Sequence, residues 1–422
     1  MTLPRLKIDL RRLTSELDRL AEISDCPEPA PAVTRIVFTP TDLVAREFLR
    51  KLYQDAGLEV RVDPLGNTFA RWQGSQPDLP AVGTGSHTDA IPHAGMYDGT
   101  VGVLGGLEAI RALRRSGFVP RRSIELVTFT SEEPTRFGVG CTGSRGMAGT
   151  MVAEDYAALC DESGESFDSV RRGAGFTGAL ADVALPPSYY DAWIELHIEQ
   201  GPQLEASGKS IGLVTAIAAP ATLKMTVHGE GGHAGAVLMP RRRDALAAAA
   251  EIVTAVERIA LASPSPDLVA TVGKLEVHPG AVNSIPSRVG LTLDIRDIDE
   301  QNRDLQILLI REAVQALAAR RKVRILVEQL NADPPALADP RVLQAARTAC
   351  QQLGVTYEEM ISRAYHDSLF MARIAPISMI FVPSRGGISH QPSEYTAPEH
   401  LRCGVEVLAL TLKLLSESTH AS

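Results

Sequence analysis

Leucines alternate with charged residues at helical spacing near the start of the chain and predict an amphipathic helix over 10–22. Pro27, Pro29 and Pro31, set among small residues, mark 24–38 as a loop. Thr39 then reads as an N-cap, with Pro40 at the first helical position and Asp42 in the first turn. Leu43, Phe48, Leu49 and Leu52 continue that helix until Gly57 stops it. Segments 58–62 and 68–72, joined by Asp63-Pro64-Leu65-Gly66-Asn67, predict a β-hairpin. Apolar runs at 81–85 and 123–130 predict strands, with a helix near 101–115 between them. Strands alternating with helices point to an α/β sheet with buried central strands.

The pattern changes after about residue 215. Leu223-Lys224-Met225-Thr226-Val227 alternates like a half-exposed strand, and 245–261 is a long Ala-rich helix. Strands at 268–277 and 289–296, a charged helix at 299–320 and a strand at 323–329 complete β-α-β-β-α-β, the ferredoxin-like arrangement. Pro334, Pro335 and Pro340 mark the return to a helix at 341–353, a strand at 378–382 and a closing helix at 399–416. The expected architecture is α/β: a mixed-sheet domain, 1–215 plus 331–422, carrying an inserted ferredoxin-like domain at 216–330.

Composition narrows the function classes. The 422 residues are 45% hydrophobic and 22% charged, ordinary for a globular chain. A net charge of −9 disfavours nucleic acid, because phosphate binding needs surplus cations. The basic spots between Arg111 and Arg122 and at Arg241–Arg243 are flanked or interrupted by apolar residues and read as surface helices. Five widely spaced cysteines without a Cys-x-x-Cys pair suggest a reducing compartment, hence a cytoplasmic protein. Neither a secretory signal nor an apolar run of about 18 residues is visible, so no membrane partner is expected.

Ten histidines occur, and their neighbours separate them. His87 in Gly85-Ser86-His87-Thr88-Asp89 closes an apolar strand, where open α/β sheets place their sites. Asp89 is placed to accept a hydrogen bond from the imidazole's other N–H. Asp98 precedes Gly99, and Ser131-Glu132-Glu133-Pro134 follows the next strand, its two carboxylates diverging so that one can bind metal while the other handles a proton. Glu195, His197 and Glu199 alternate onto one strand face, and His390 lies in a Gly- and Pro-bounded loop. Taken singly, each histidine is more often a core or surface residue, and Glu132-Glu133 a solvated helix start. Together they form a mixed imidazole–carboxylate set suited to Zn, Mn, Co or Ni.

These motifs, in this order, resemble the M20-type binuclear metallohydrolases. Within them they resemble the amidohydrolase branch of N-carbamoyl-L-amino-acid hydrolases, β-ureidopropionases, allantoate amidohydrolases and plant ureidoglycolate amidohydrolases. The likeness to the last group runs through Glu132-Glu133-Pro134-Thr135-Arg136-Phe137, His197-Ile198-Glu199-Gln200-Gly201, His233 to Pro240, His278 to Ser287 and Ile361 to Arg373. The loop from Ser384 to Glu394 departs from the plant pattern toward the carbamoylase and allantoate branch. The resemblance implies two divalent metal ions, Mn2+ first among the candidates. His87 and His197 hold one, Glu133 and His390 the other, and Asp98 bridges them. It implies Glu132 as general base, with Asp89 and His233 also catalytic, and Gln200, His233, Asn283, Arg296, Tyr365 and His366 on the substrate. Without it, Arg296 reads as a strand-edge ion pair, His233 as a loop histidine, Asn283 as a turn residue and His366 as a structural histidine linked to Asp367. The implied reaction cleaves a carbamoyl or ureido C–N bond in a small carboxylate-bearing ureide. First comes (S)-ureidoglycolate, giving glyoxylate, ammonia and CO2 in purine breakdown; the alternative is an N-carbamoyl-L-amino acid or allantoate. The inserted domain is implied to act as lid and to build a homodimer. A non-catalytic binding protein of the same fold is the remaining reading, opposed by an intact Glu132.

Overall fold

The computed structural model describes residues 6–26 and 32–418. The prolines Pro27, Pro29 and Pro31 lie outside the described residues. Two compact units emerge: Met1–Ala216 with Leu337–Ser422, and Ile217–Ala336.

The larger unit is built on a mixed sheet. Four parallel strands form its centre, in the order Ile377–Val382, Tyr190–Ile198, Ala81–His87 and Ile124–Phe129. Antiparallel strands flank them: Ile211–Ile217 on one side, and the Glu59–Val62/Thr68–Trp72 hairpin on the other. Every residue of Ala81–His87, Ile124–Phe129 and Ile377–Val382 is buried, which explains why these strands read as continuous apolar runs. Helices Leu10–Ala21, Thr100–Arg115, Pro340–Leu353 and Pro398–Glu417 share one core with the sheet through residues such as Leu13, Leu104, Leu107, Leu126, Leu196, Val342 and Leu408. Thr100–Arg115 lies close because Gly102 has no side chain: a Cβ there would fall 2.4 Å from the Leu196 carbonyl oxygen. Helix Pro40–Asp55 starts as expected, with the Thr39 hydroxyl accepting from the Asp42 N–H and the Asp42 carboxylate accepting from the Phe38 N–H.

One expectation fails here. Residues 33–35, inside the predicted loop, form a short strand, Val33–Arg35, paired antiparallel with Ala90–Ala94. Neither segment alternates over more than a few residues, and the partner contains Pro92, so local patterning carries no strand signal.

The smaller unit is a four-stranded antiparallel sheet in the order Val269–His278, Arg288–Asp297, Ala219–His228, Arg324–Ala332. Helices Ala245–Leu261 and Glu300–Arg321 pack on it, capped by Asp244 and Asp299. Leu223, Met225, Val227, Leu291, Leu293 and Ile295 alternate inward against Ala248, Ile252, Ile310 and Val314. This is the β-α-β-β-α-β succession.

Candidate metal centre

The parallel strands deliver the chemistry at their C-terminal ends, where carbonyl-terminated strands fan out and side chains can converge. Buried His87 closes Ala81–His87, and its Nδ1 donates to the main-chain carbonyl of Asp89 at 3.0 Å. That bond fixes the tautomer and aims Nε2 into the site. His197, one residue before the end of Tyr190–Ile198, is held the same way, with Nδ1 donating to the Ile198 carbonyl at 2.9 Å. Asp98 stands between the histidines. Its Oδ1 lies 3.2 Å from His197 Nε2 and 3.9 Å from His87 Nε2, and its Oδ2 lies 3.1 Å from His390 Nε2. Gly99 makes room: its φ is +65°, and a Cβ there would fall 2.5 Å from the His87 ring.

After Ile124–Phe129, Ser131 turns the chain in the left-handed region and presents Glu132 and Glu133. Glu133 Oε1 lies 3.4 Å from His390 Nε2, and Glu132 Oε2 lies 3.8 Å from His87 Nε2. Two ligand-like sets result, His87/Asp98/His197 and Asp98/Glu133/His390, and within each the donor atoms lie within 4.8 Å of one another. Asp98 belongs to both. Gln200 Nε2 donates to Asp98 Oδ2 at 3.0 Å and to Ser389 Oγ at 3.2 Å.

The expected role of Asp89 needs correction. Its carboxylate is 3.8 Å from His87 Nδ1, beyond hydrogen-bond range. The chain turns directly after His87 and brings the Asp89 carbonyl under the ring instead. The freed carboxylate reaches the next loop and accepts the N–H groups of Glu132 (3.2 Å) and Glu133 (3.0 Å). The Asp89 carboxylate thus orients the acid pair, while its main-chain carbonyl orients the imidazole.

Electrostatics test whether cations fit. Burial, then the charge of Asp98, pushes Glu133 up to about 8. Burial and the charges of Glu133, Asp367, Asp89 and Asp98 hold Glu132 well above the usual carboxylate range. Burial works against both Asp98 and His197. Yet hydrogen bonds from His197 and His390 hold Asp98 well below its ordinary value, and the bond to Asp98 lifts His197 to about 9. The bond to Asp98 likewise lifts His390 to about 9. Crowded carboxylates interleaved with imidazoles whose Nε2 atoms point inward are a donor set that divalent cations fit, and a bound cation would oppose the upward shifts of Glu132, Glu133, His197 and His390.

A third group, Glu195, His197 and His366, lies behind the site. Its acid is already engaged: Glu195 accepts from Ser86 Oγ (2.8 Å), the Ser368 N–H (3.2 Å) and Ser368 Oγ (2.5 Å).

The sequence profile of peptidase family M20/M25/M40 matches residues 83–414. The chain belongs to this family. Metal dependence is a property of M20 enzymes. The chain is 52% identical to a ureidoglycolate hydrolase of Arabidopsis thaliana, covering 97% of this chain and 87% of that one. It is 40% identical to an N-carbamoyl-L-amino acid amidohydrolase of Geobacillus stearothermophilus, covering 96% and 98%. The crystal structure of AtUAH in complex with glyoxylate superposes with a TM-score of 0.89 at 51% identity, covering 98% and 99%.

The other expected residues of this M20 chain have these surroundings. Tyr365 is half-buried, and its hydroxyl accepts from Arg145 Nη2 at 2.8 Å. His366 is buried edge-on against His197, with ring centroids 4.5 Å apart, and its Nε2 bonds Ser362 Oγ at 2.9 Å. The link to Asp367 does not form: Asp367 Oδ1 takes the Ser144 hydroxyl at 2.5 Å, and among the described residues its buried Oδ2 has no hydrogen-bond partner. In the smaller unit, His233 and Asn283 are exposed neighbours on a two-stranded ribbon in which His233 pairs with Ser284. Arg296 lies on an interior strand, not at an edge, with Nε 2.7 Å from Asp294 Oδ1. Sequence reasoning misses Cys141, whose thiol donates to Glu132 Oε1 at 3.4 Å, and Glu394, whose carboxylate accepts the Asp98 N–H at 3.1 Å. Neither carries a motif signal; both meet their partners only through the fold.

Proposed function

We propose that this chain is a binuclear metal-dependent amidohydrolase that converts (S)-ureidoglycolate and water to glyoxylate, two ammonia and CO2. The observation that carries the chemistry is the single Asp98 carboxylate facing His87 and His197 with one oxygen and His390 with the other. The substrate rests on the higher identity to a ureidoglycolate hydrolase than to a carbamoyl-amino-acid amidohydrolase.

In this reading His87 and His197 would hold one divalent ion and Glu133 and His390 the other, with Asp98 available to each set. When bound, two such ions, Mn2+ first among the candidates, lower the pKa of water and draw off the negative charge of the tetrahedral state. The chain's own residues do the rest. Glu132 keeps Oε1 on the Cys141 thiol, which leaves Oε2 to take the proton of the attacking water. The same oxygen returns that proton to the nitrogen departing from the carbamoyl carbon. The carbamate left by that cleavage loses CO2, and the remaining α-hydroxy amino acid sheds its amine to become glyoxylate. Asp89 keeps Glu132 and Glu133 in register through their main-chain N–H groups. Gln200, Tyr365 and His366 are assigned to substrate from the larger unit. His233, Asn283 and Arg296 are assigned from the smaller one: the imidazole for the developing oxyanion, the guanidinium for the substrate carboxylate by paired hydrogen bonds.

The smaller unit, as lid and dimerisation domain, belongs to the same proposal. Its edge strands expose apolar side chains, Val269 and Leu275 on Val269–His278 and Leu326 and Leu330 on Arg324–Ala332. A cytoplasmic setting rests on the free thiols of Cys26, Cys141, Cys160, Cys350 and Cys403. Among the described residues no helix is long and apolar enough to cross a membrane.

The test is a substrate panel after chelation and Mn2+ addition. Ureidoglycolate, allantoate and N-carbamoyl amino acids are assayed separately for ammonia and glyoxylate. Glyoxylate release from ureidoglycolate supports the reading; turnover of carbamoyl amino acids alone overturns it.

A further inference from the structure

Glu394, four residues beyond His390, is only 3% exposed. Its Oε1 accepts the main-chain N–H groups of Tyr97 (2.8 Å) and Asp98 (3.1 Å), and its Oε2 accepts the Ser389 hydroxyl (2.8 Å). Ser389 Oγ also receives Gln200 Nε2, the same amide nitrogen that bonds Asp98 Oδ2. One carboxylate therefore ties the loop bearing Asp98 to the loop bearing His390, across 297 positions of sequence between Glu394 and Tyr97. Its seat is shaped for it: a Cβ on Gly95 would fall 2.3 Å from the Glu394 Cβ.

The residues at the centre are not equally anchored. His87 and His197 sit at strand ends with Nδ1 on a carbonyl, and the Glu133 N–H is held by Asp89. His390 sits on a loop in the left-handed region at φ +59°, its side chain half-exposed, and among the described residues its Nδ1 has no hydrogen-bond partner. Its distance from Asp98 is set by the loop beneath it, and that loop is fastened by Glu394.

Resting on the binuclear reading above, we propose that Glu394 is a positioning residue. It sets the spacing of Asp98 and His390 and thereby the affinity of the Asp98/Glu133/His390 position, while the His87/Asp98/His197 position stands without it. Three donors must be accepted, two N–H and one O–H. Glutamine keeps two of these bonds, its carbonyl accepting the N–H groups, and reverses the third, its amide donating to a Ser389 hydroxyl turned to accept. Alanine leaves the N–H groups of Tyr97 and Asp98 without their acceptor.

The experiment uses the full metal-free chain as wild type, Glu394→Ala and Glu394→Gln, titrated with Mn2+ alone. Equilibrium dialysis gives stoichiometry and affinity, and electron paramagnetic resonance separates isolated from spin-coupled Mn2+. Wild type should take two ions. Glu394→Ala should keep one at wild-type affinity and lose the second by about 10–100-fold, the range found for partners behind metal ligands, with an isolated-ion spectrum. Glu394→Gln should stay within a few-fold of wild type at both positions. The proposal is overturned if Glu394→Ala binds both ions as wild type does, if it loses both equally, or if Glu394→Gln behaves as Glu394→Ala. Fewer than two ions on the wild type would instead sink the binuclear reading itself. Should Glu394→Ala not fold, Ser389→Ala carries the test: it must weaken the same position alone, and unchanged affinity there rejects the proposal.

Discussion

Glu132→Gln separates proton transfer from metal binding. Glutamine keeps the side-chain volume and retains a carbonyl oxygen to accept the Cys141 thiol, as Glu132 Oε1 does at 3.4 Å. What it lacks is a second oxygen able to take a proton where Oε2 faces the site, 3.8 Å from His87 Nε2. Loss of a positioned general base typically costs 10²–10⁴-fold, about 3–5 kcal/mol of barrier, so kcat should fall by about that much with KM little changed. Metal content should stay near two per chain, because Glu132 belongs to neither ligand-like set. Stability moves the other way. Burial and four neighbouring carboxylates raise the folded-state pKa of Glu132, so keeping this acid at its site costs the metal-free fold stability at neutral pH. The metal-free variant should therefore melt no lower than wild type at pH 7. Steady-state kinetics, metal analysis and calorimetry on one preparation read all three. A variant within a few-fold of wild-type kcat, or one that loses a metal, refutes the assignment of Glu132.

The metal-free protein should lose stability as pH rises from about 6.5 to 9. Glu133, lifted from 4.5 to about 8, and His197 and His390, lifted from 6.5 to about 9, all bind protons more tightly folded than unfolded, so each stabilises at low pH and ceases to as it deprotonates. Saturating Mn2+ should flatten that slope, and a metal-free melting temperature that climbs over the interval would contradict the geometry. Cys141→Ala removes one neutral donor from Glu132, worth about 0.5–1.5 kcal/mol net, so kcat should drop about 2–10-fold with metal content unchanged. Wild-type turnover in that variant, measured beside Glu132→Gln, would show that the thiol does not orient the base.

What a chain discloses of its fold and of such a centre depends on whether the cause is local. Ala81–His87 and Ile124–Phe129 are readable because a parallel strand covered on both faces must be apolar throughout. The ferredoxin-like block is readable because its strands alternate with period two and its helices do not. His87, Glu132-Glu133 and His197 stand out because each is polar at the end of such a run, where burying it without a task would be costly. Asp89 misleads for the same reason: two residues from His87, it invites a local hydrogen bond, yet its carboxylate serves N–H groups 43 and 44 residues away. Val33–Arg35 is invisible because its pairing with Ala90–Ala94, not its composition, makes it a strand. Glu394 is the extreme case, an acid in a polar loop whose partners lie 296 and 297 residues upstream. His87, His197 and the Glu132-Glu133 pair are thus written at strand ends, whereas the spacing of the whole set is written in hydrogen bonds that only the closed fold creates. Metal affinity should then respond to residues that no ligand motif contains.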